Sequence, residues 1–209
     1  ASSAVNSFVN SILGATAGTS GLAGTVDIQS TGGLIQTWGD NSMGIIGQSI
    51  NGGGGITNAA LSYSAGTVNY QSTLGGTNVS NASANSVTVN ASNAITTSGA
   101  NSVGIMAQSL GGGGGISTTV VTGGSVSVNP VTIGGQGSTS GNGGVVNVTQ
   151  TGAINTSGNA AIGIVAQSIG GGGGYAALAS LQPNTSIASG SQITIGGTSG
   201  TSGNGSDVT

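Results

Sequence analysis

The sequence predicts an all-β fold: a parallel β-solenoid with about three coils per ~60-residue repeat and Gly-rich loops. Three observations carry the prediction. One heptapeptide returns at near-constant spacing, short Val/Ile/Thr runs alternate with polar residues, and almost nothing in the chain is charged.

The heptapeptide sets the frame. Gly44-Ile45-Ile46-Gly47-Gln48-Ser49-Ile50 returns as Gly104-Ile105-Met106-Ala107-Gln108-Ser109-Leu110, then as Gly163-Ile164-Val165-Ala166-Gln167-Ser168-Ile169, at intervals of about 60 residues. Upstream of each copy lies a short alternating run, Val26-Asp27-Ile28, Val87-Thr88-Val89 or Val146-Asn147-Val148, which predicts a strand. An isoleucine follows at Ile35, Ile95 or Ile154. Next comes Gly39-Asp40-Asn41, Gly99-Ala100-Asn101 or Gly158-Asn159-Ala160. Gly, Asn and Asp tolerate positive φ, so these are predicted corners.

Inside the heptapeptide, successive side chains face opposite ways. Ile105, Ala107 and Ser109, with Ile45, Gly47, Ser49 and Ile164, Ala166, Ser168, are assigned to the interior, because they are small or β-branched. The opposite set, Met106, Gln108, Leu110 and their counterparts, is apolar enough to need a cover. Gln48, Gln108 and Gln167 read as amides that bond backbone at a corner or Gly loop, against the alternative of a binding row. Gly44, Gly104 and Gly163 open the three copies of this structural motif. The glycine runs at residues 52–55, 111–115 and 170–174 read as flexible excursions, with polyglycine packed on a neighbour as the alternative. They lack the Lys of a phosphate loop and the Asp of a calcium-binding nonapeptide.

A second landmark has the same period. Val131-Thr132-Ile133-Gly134-Gly135 returns as Ile193-Thr194-Ile195-Gly196-Gly197, and Ser140-Gly141-Asn142-Gly143 as Ser202-Gly203-Asn204-Gly205. The chain therefore reads as a single continuous repeat region over 1–209, with units at roughly 25–85, 86–144 and 145–206, cut from a longer chain. A unit this long divides into three coils of roughly 20 residues. Residues 4–13 suit either a helix-like cap or another strand.

Composition removes most chemistry. Charged residues make up 1% of the chain, with no Lys, Arg, His or Cys, where about a quarter is usual. Asp27, Asp40 and Asp207 are the only acidic side chains. No base is present to activate the many Ser and Thr hydroxyls, and no His or Cys to bind zinc. The expectation is no enzyme, no catalytic residue, no cofactor and no metal. Phosphate contact rests on Lys and Arg, so no nucleic-acid partner is expected. No apolar stretch approaches the ~20 residues of a membrane helix, so this segment is not expected to insert in a membrane.

The motif Ser-Gly-x-x-x-x-Gly-Ile-x-Ala-Gln-Ser-Ile/Leu followed by five glycines is carried nearly whole by residues 98–115 and 157–174. Residues 38–55 carry it with Trp38, Gly47 and Asn51 as departures. This grammar resembles the passenger regions of very large glycine-rich autotransporter adhesins of Gram-negative bacteria. The resemblance implies a parallel β-helix, exported through an outer-membrane barrel and displayed at the bacterial cell surface. It supplies no catalytic residue.

The expected function is an extracellular structural or adhesive rod, or a fibre-forming segment. Its partners would be further copies of itself, met end to end or laterally, and a host or abiotic surface. A near-neutral surface lacks the repulsion that keeps proteins apart. Two alternatives remain: a passive stalk displaying a remote functional domain, and a solenoid that binds ice or another crystal surface.

Overall fold

The computed structural model describes residues 7–13, 16–19, 22–62, 67–75, 77–80, 83–122, 125–134, 141–180, 186–187, 193–196 and 203–209. Its described secondary structure is all β, without helix. The first coil holds β1 (Ser7–Leu13), β2 (Thr16–Thr19), β3 (Val26–Ser30), β4 (Leu34–Thr37), β5 (Met43–Ile50) and β6 (Gly54–Ser62). The second repeats that order in β7 (Thr67–Leu74), β8 (Thr77–Ser80), β9 (Val87–Ala91), β10 (Ala94–Thr97), β11 (Val103–Leu110) and β12 (Gly114–Thr122). The third has β13 (Ser125–Ile133), β14 (Val146–Gln150), β15 (Ile154–Thr156), β16 (Ile162–Ile169) and β17 (Gly173–Ser180). Two short strands, β18 (Ser186–Ile187) and β19 (Ile193–Ile195), begin a fourth. Ser7–Leu13 is thus a strand, the second of the two readings of that segment.

Every ladder is parallel, and each strand pairs with its counterpart in the next repeat. Ile45 pairs with Ile105, and Ile105 with Ile164. This corrects the expected coil count. One repeat is one wide coil, not three narrow ones, because coils of about 20 residues would pair residues about 20 apart, whereas hydrogen-bonded columns such as Gln48 to Gln108 join residues 60 apart. The three isoleucines are therefore in adjacent coils.

A coil this wide encloses more than one core. The sheets β3–β9–β14, β4–β10–β15 and β5–β11–β16 surround the first. Val87, Val89, Ala91, Ile95, Ile105 and Ala107 fill it, with Ile45 and Val146 from the coils on either side. The far face of β11 is covered as well. Val103, Met106 and Ile116 form a second cluster between it and β12, with Met43, Ile162, Val165 and Tyr175 packed alongside. β6–β12–β17 in turn packs against β7 and β13. There Thr57 and Ser72 bring their buried hydroxyl oxygens to 3.4 Å. The sheet β5–β11–β16 is thus a shared wall, and β12 lies between it and β7 and β13, so that residues 101–121 of the middle coil are all buried.

Local chemistry explains the irregularities. The predicted corners turn through positive φ at Asn41 (58°), Asn101 (54°) and Ala160 (56°). In β13 the register against β7 shifts between Val128 and Val131, around Pro130. Proline has no N–H to give the ladder, and a bulge is where a strand accommodates it.

Candidate functional site

Ile45 and Ile105 are interior, Ile105 completely so, as assigned; Ile164 holds the same register but is 44% exposed. No described strand of a fourth coil covers β16. Gly44 and Gly104 interrupt the alternation. A Cβ on Gly44 would come 2.9 Å from Ile95 Cγ2, and one on Gly104 2.8 Å from Ile154 Cγ2. Glycine there lets the backbone of β5 and β11 lie against the isoleucine of the neighbouring sheet.

The glutamines form a ladder along the stack, which neither sequence reading anticipated. Gln48 donates through Nε2 to Gln108 Oε1 at 2.8 Å, and Gln108 donates to Gln167 Oε1 at 2.6 Å. Only Gln167 turns to backbone, donating at 3.4 Å to Gly174 O. Gln108 has no exposed surface. An amide has both a donor and an acceptor, so a column of them satisfies itself where water is excluded, and an unpaired buried amide would cost about 1–3 kcal/mol.

The serines do a different job. Ser49 Oγ donates to Gly24 O and accepts from Asn85 N of the next coil. Ser109 Oγ donates to Asn85 O and accepts from Gly144 N. Ser168 Oγ donates to Gly144 O and accepts from Ser206 N. Each hydroxyl closes its own coil by tying the heptapeptide strand to the segment ahead of the Val-x-Val strand. It then passes one hydrogen bond to the coil above. This zigzag needs a group that donates and accepts at one atom, which a hydroxyl provides.

A third column lies at the corners. Asn101 Nδ2 reaches both Asn41 Oδ1 at 3.2 Å and Thr119 O at 3.1 Å, pinning the corner to β12. Sequence reasoning found the turn but not this bond, although Asn at the same place in two repeats was the available signal. Asp40 is tied in at the same corner, its Oδ1 accepting from Ala100 N of the next coil at 2.8 Å. Asp27 accepts from Gln29 Nε2. Among the described residues no three His, Cys, Asp or Glu gather as a metal site would need. Burial raises the pKa of the Tyr175 hydroxyl above the ordinary tyrosine value.

The glycine runs are not excursions. Their first residues turn, and their last pair joins the ladder, Gly114 with Gly54 and Gly173, Gly115 with Gly55 and Gly174. The reading of flexible Gly loops is overturned in favour of polyglycine packed on its neighbours. The cause is orientation: a Cβ on Gly114 would strike Gly173 O in one neighbouring coil, and one on Gly115 would strike Gly55 O in the other.

The third corner departs from the other two, since Ala160 takes the left-handed conformation that Asn41 and Asn101 take. An L-residue with a plain Cβ pays roughly 1–2 kcal/mol there, and Asn less. Moreover, Asn101 Oδ1 is buried without a hydrogen-bond partner among the described residues. Ala160→Asn would put an amide donor next to that oxygen and extend the column. We expect it to stabilise the chain by about 1 kcal/mol, read as a raised melting temperature, whereas Ala160→Val should lower it.

Comparison with protein-family models, with curated proteins and with solved structures finds no match.

Proposed function

We propose that this chain is a non-catalytic structural or adhesive rod segment, displayed outside a bacterial cell. The observation that carries the reading is where the repeat spends its polar side chains. Its Gln and Ser columns bond from coil to coil, and so hold a stack together rather than converge on a reacting atom. The chain also contains no Lys, Arg or His, so its cohesion rests on backbone pairing, amide bonds and apolar packing, none of which needs a particular ionic strength. That suits a surface exposed to changing surroundings.

Self-association is the partner this build favours. The outer edges of β4, β5 and β6 carry no strand among the described residues, and an open edge pairs readily with another strand. More of the same repeat, or a second copy of it, has the register to fit. The same stack would also serve as a passive stalk for a remote domain.

Antibodies raised against the isolated chain test the location. They should label intact cells that make the protein as strongly as permeabilised ones. Labelling only after permeabilisation would overturn the proposal.

A further inference from the structure

A groove follows the outer side of the turn between the Val-x-Val strand and the next, across all three coils. It has a volume of about 180 Å³ and is lined by Gln29, Asn90 and Thr149 in one column, Thr31, Ser92 and Thr151 in another, with Ala91 at its base. The columns follow the ladder, in which Asn90 pairs with both Gln29 and Thr149. Their side chains are therefore repeated along the stack at the ~4.8 Å spacing of paired strands. Gln29, Thr31, Ser92, Thr149 and Thr151 are exposed. Apart from the bond from Gln29 to Asp27, these six side chains make no hydrogen bonds to described residues. They are exposed polar groups aligned in two columns along the stack.

The walls are held in place from behind. Ser30 Oγ donates to Asn93 Oδ1 at 2.6 Å, Asn93 Nδ2 donates to Gly32 O, and Gln150 Nε2 donates to Asn93 O at 2.7 Å. Three coils are thereby tied at this turn, so a ligand would meet a surface already ordered, which reduces the entropy cost of binding.

We propose that this groove binds a neutral, linear glycan laid along the stack. Amide and hydroxyl side chains both donate and accept, as sugar hydroxyls do. The threonine methyls offer apolar contact to the C–H faces of the rings. An anionic chain finds no cation anywhere in the sequence, and Asp27 stands beside the groove. A protein partner would be anchored by large aromatic or Arg side chains, and the groove contains neither. A ligand that repeats along its length suits a site that does the same, because weak contacts then add within one molecule.

The inference rests on the adhesive form of the proposed function, but its test is independent of cellular location. Cellohexaose, a straight neutral glucan, is titrated into the isolated 209-residue chain, and binding is followed by NMR shifts of backbone amides. The amides of Asn90, Ser92 and Thr149 should move, and Ser92→Leu, which fills the groove, should weaken binding at least about tenfold, or ~1.4 kcal/mol. Gln36→Leu, on the outer face of the adjacent sheet, should leave binding unchanged. A galacturonate hexamer should bind more weakly than cellohexaose. No shift at the groove, undiminished binding by Ser92→Leu, or preference for the charged sugar would each overturn the proposal. Failure here would leave display at the surface standing, since antibody labelling tests that separately.

Discussion

Ile105→Asp should cost the chain about 4 kcal/mol or more and abolish its cooperative melting transition near room temperature. Ile105 has no exposed surface and packs in one cluster with Ile45, Ile95, Val87 and Val89. A carboxylate placed there loses its water. It also has no possible rescuer, because the chain contains no Lys, Arg or His. An unpaired charge in such a site is among the few single changes that reach this magnitude. Two companions separate charge burial from mere disturbance. Ile105→Val removes one methyl and should cost about 1 kcal/mol. Ile164→Asp occupies the same register in the next coil but is 44% exposed, so its carboxylate stays partly hydrated and its cost should be clearly smaller. Circular dichroism melts of the three variants, made under one set of conditions, give the ranking. Equal losses for Ile105→Asp and Ile164→Asp would mean that the core is not where the structure puts it.

The strands, the corners and the interior face of the heptapeptide were legible in the sequence. Alternation in Val87-Thr88-Val89 and in Ile105-Met106-Ala107 expresses the period of a strand directly, and Gly or Asn at a turn expresses the φ it must adopt. The width of the coil was not legible by the same logic. A spacing of about 60 residues between copies of the heptapeptide arises equally from one long circuit or from several short ones. What distinguishes them is the identity of the neighbour. Narrow coils would stack the heptapeptide on the Val-x-Val strand, unlike on unlike, whereas a single wide coil stacks Gln108 between Gln48 and Gln167. The glutamine ladder was missed for that reason: its bonds exist only once the three copies are known to be adjacent. Burial on both faces of β11 was half visible, in that Met106 and Leu110 demanded a cover, but β12 as the cover follows from topology alone.

Gly114→Ala should be nearly as damaging as a charge in the core, although it adds a single methyl group. Polyglycine in isolation is the most flexible of chains, and the sequence alone gives no reason for a methyl in a glycine run to do harm. In the stack, Gly114 has φ of 141° and Gly115 of 146°, a region of backbone space that is essentially closed to residues with a Cβ. The side-chain positions of this pair point along the stack axis, one up and one down, instead of to the two faces of the sheet. The backbone of an adjacent coil occupies each of those positions. Alanine at 114 must therefore either displace β17 from its ladder or move its own strand out of line. Backbone strain alone accounts for roughly 1–3 kcal/mol, and lost pairing with Gly173 and its neighbours adds to that. Gly24→Ala is the control, since a Cβ at Gly24 would meet nothing within 4 Å, and it should melt with the parent. Amide exchange should show the location of the damage, with protection lost along β12 and β17 and retained across β3 and β9. If Gly114→Ala melts like Gly24→Ala, the glycine runs are slack loops after all, and the coils are not held in register by them.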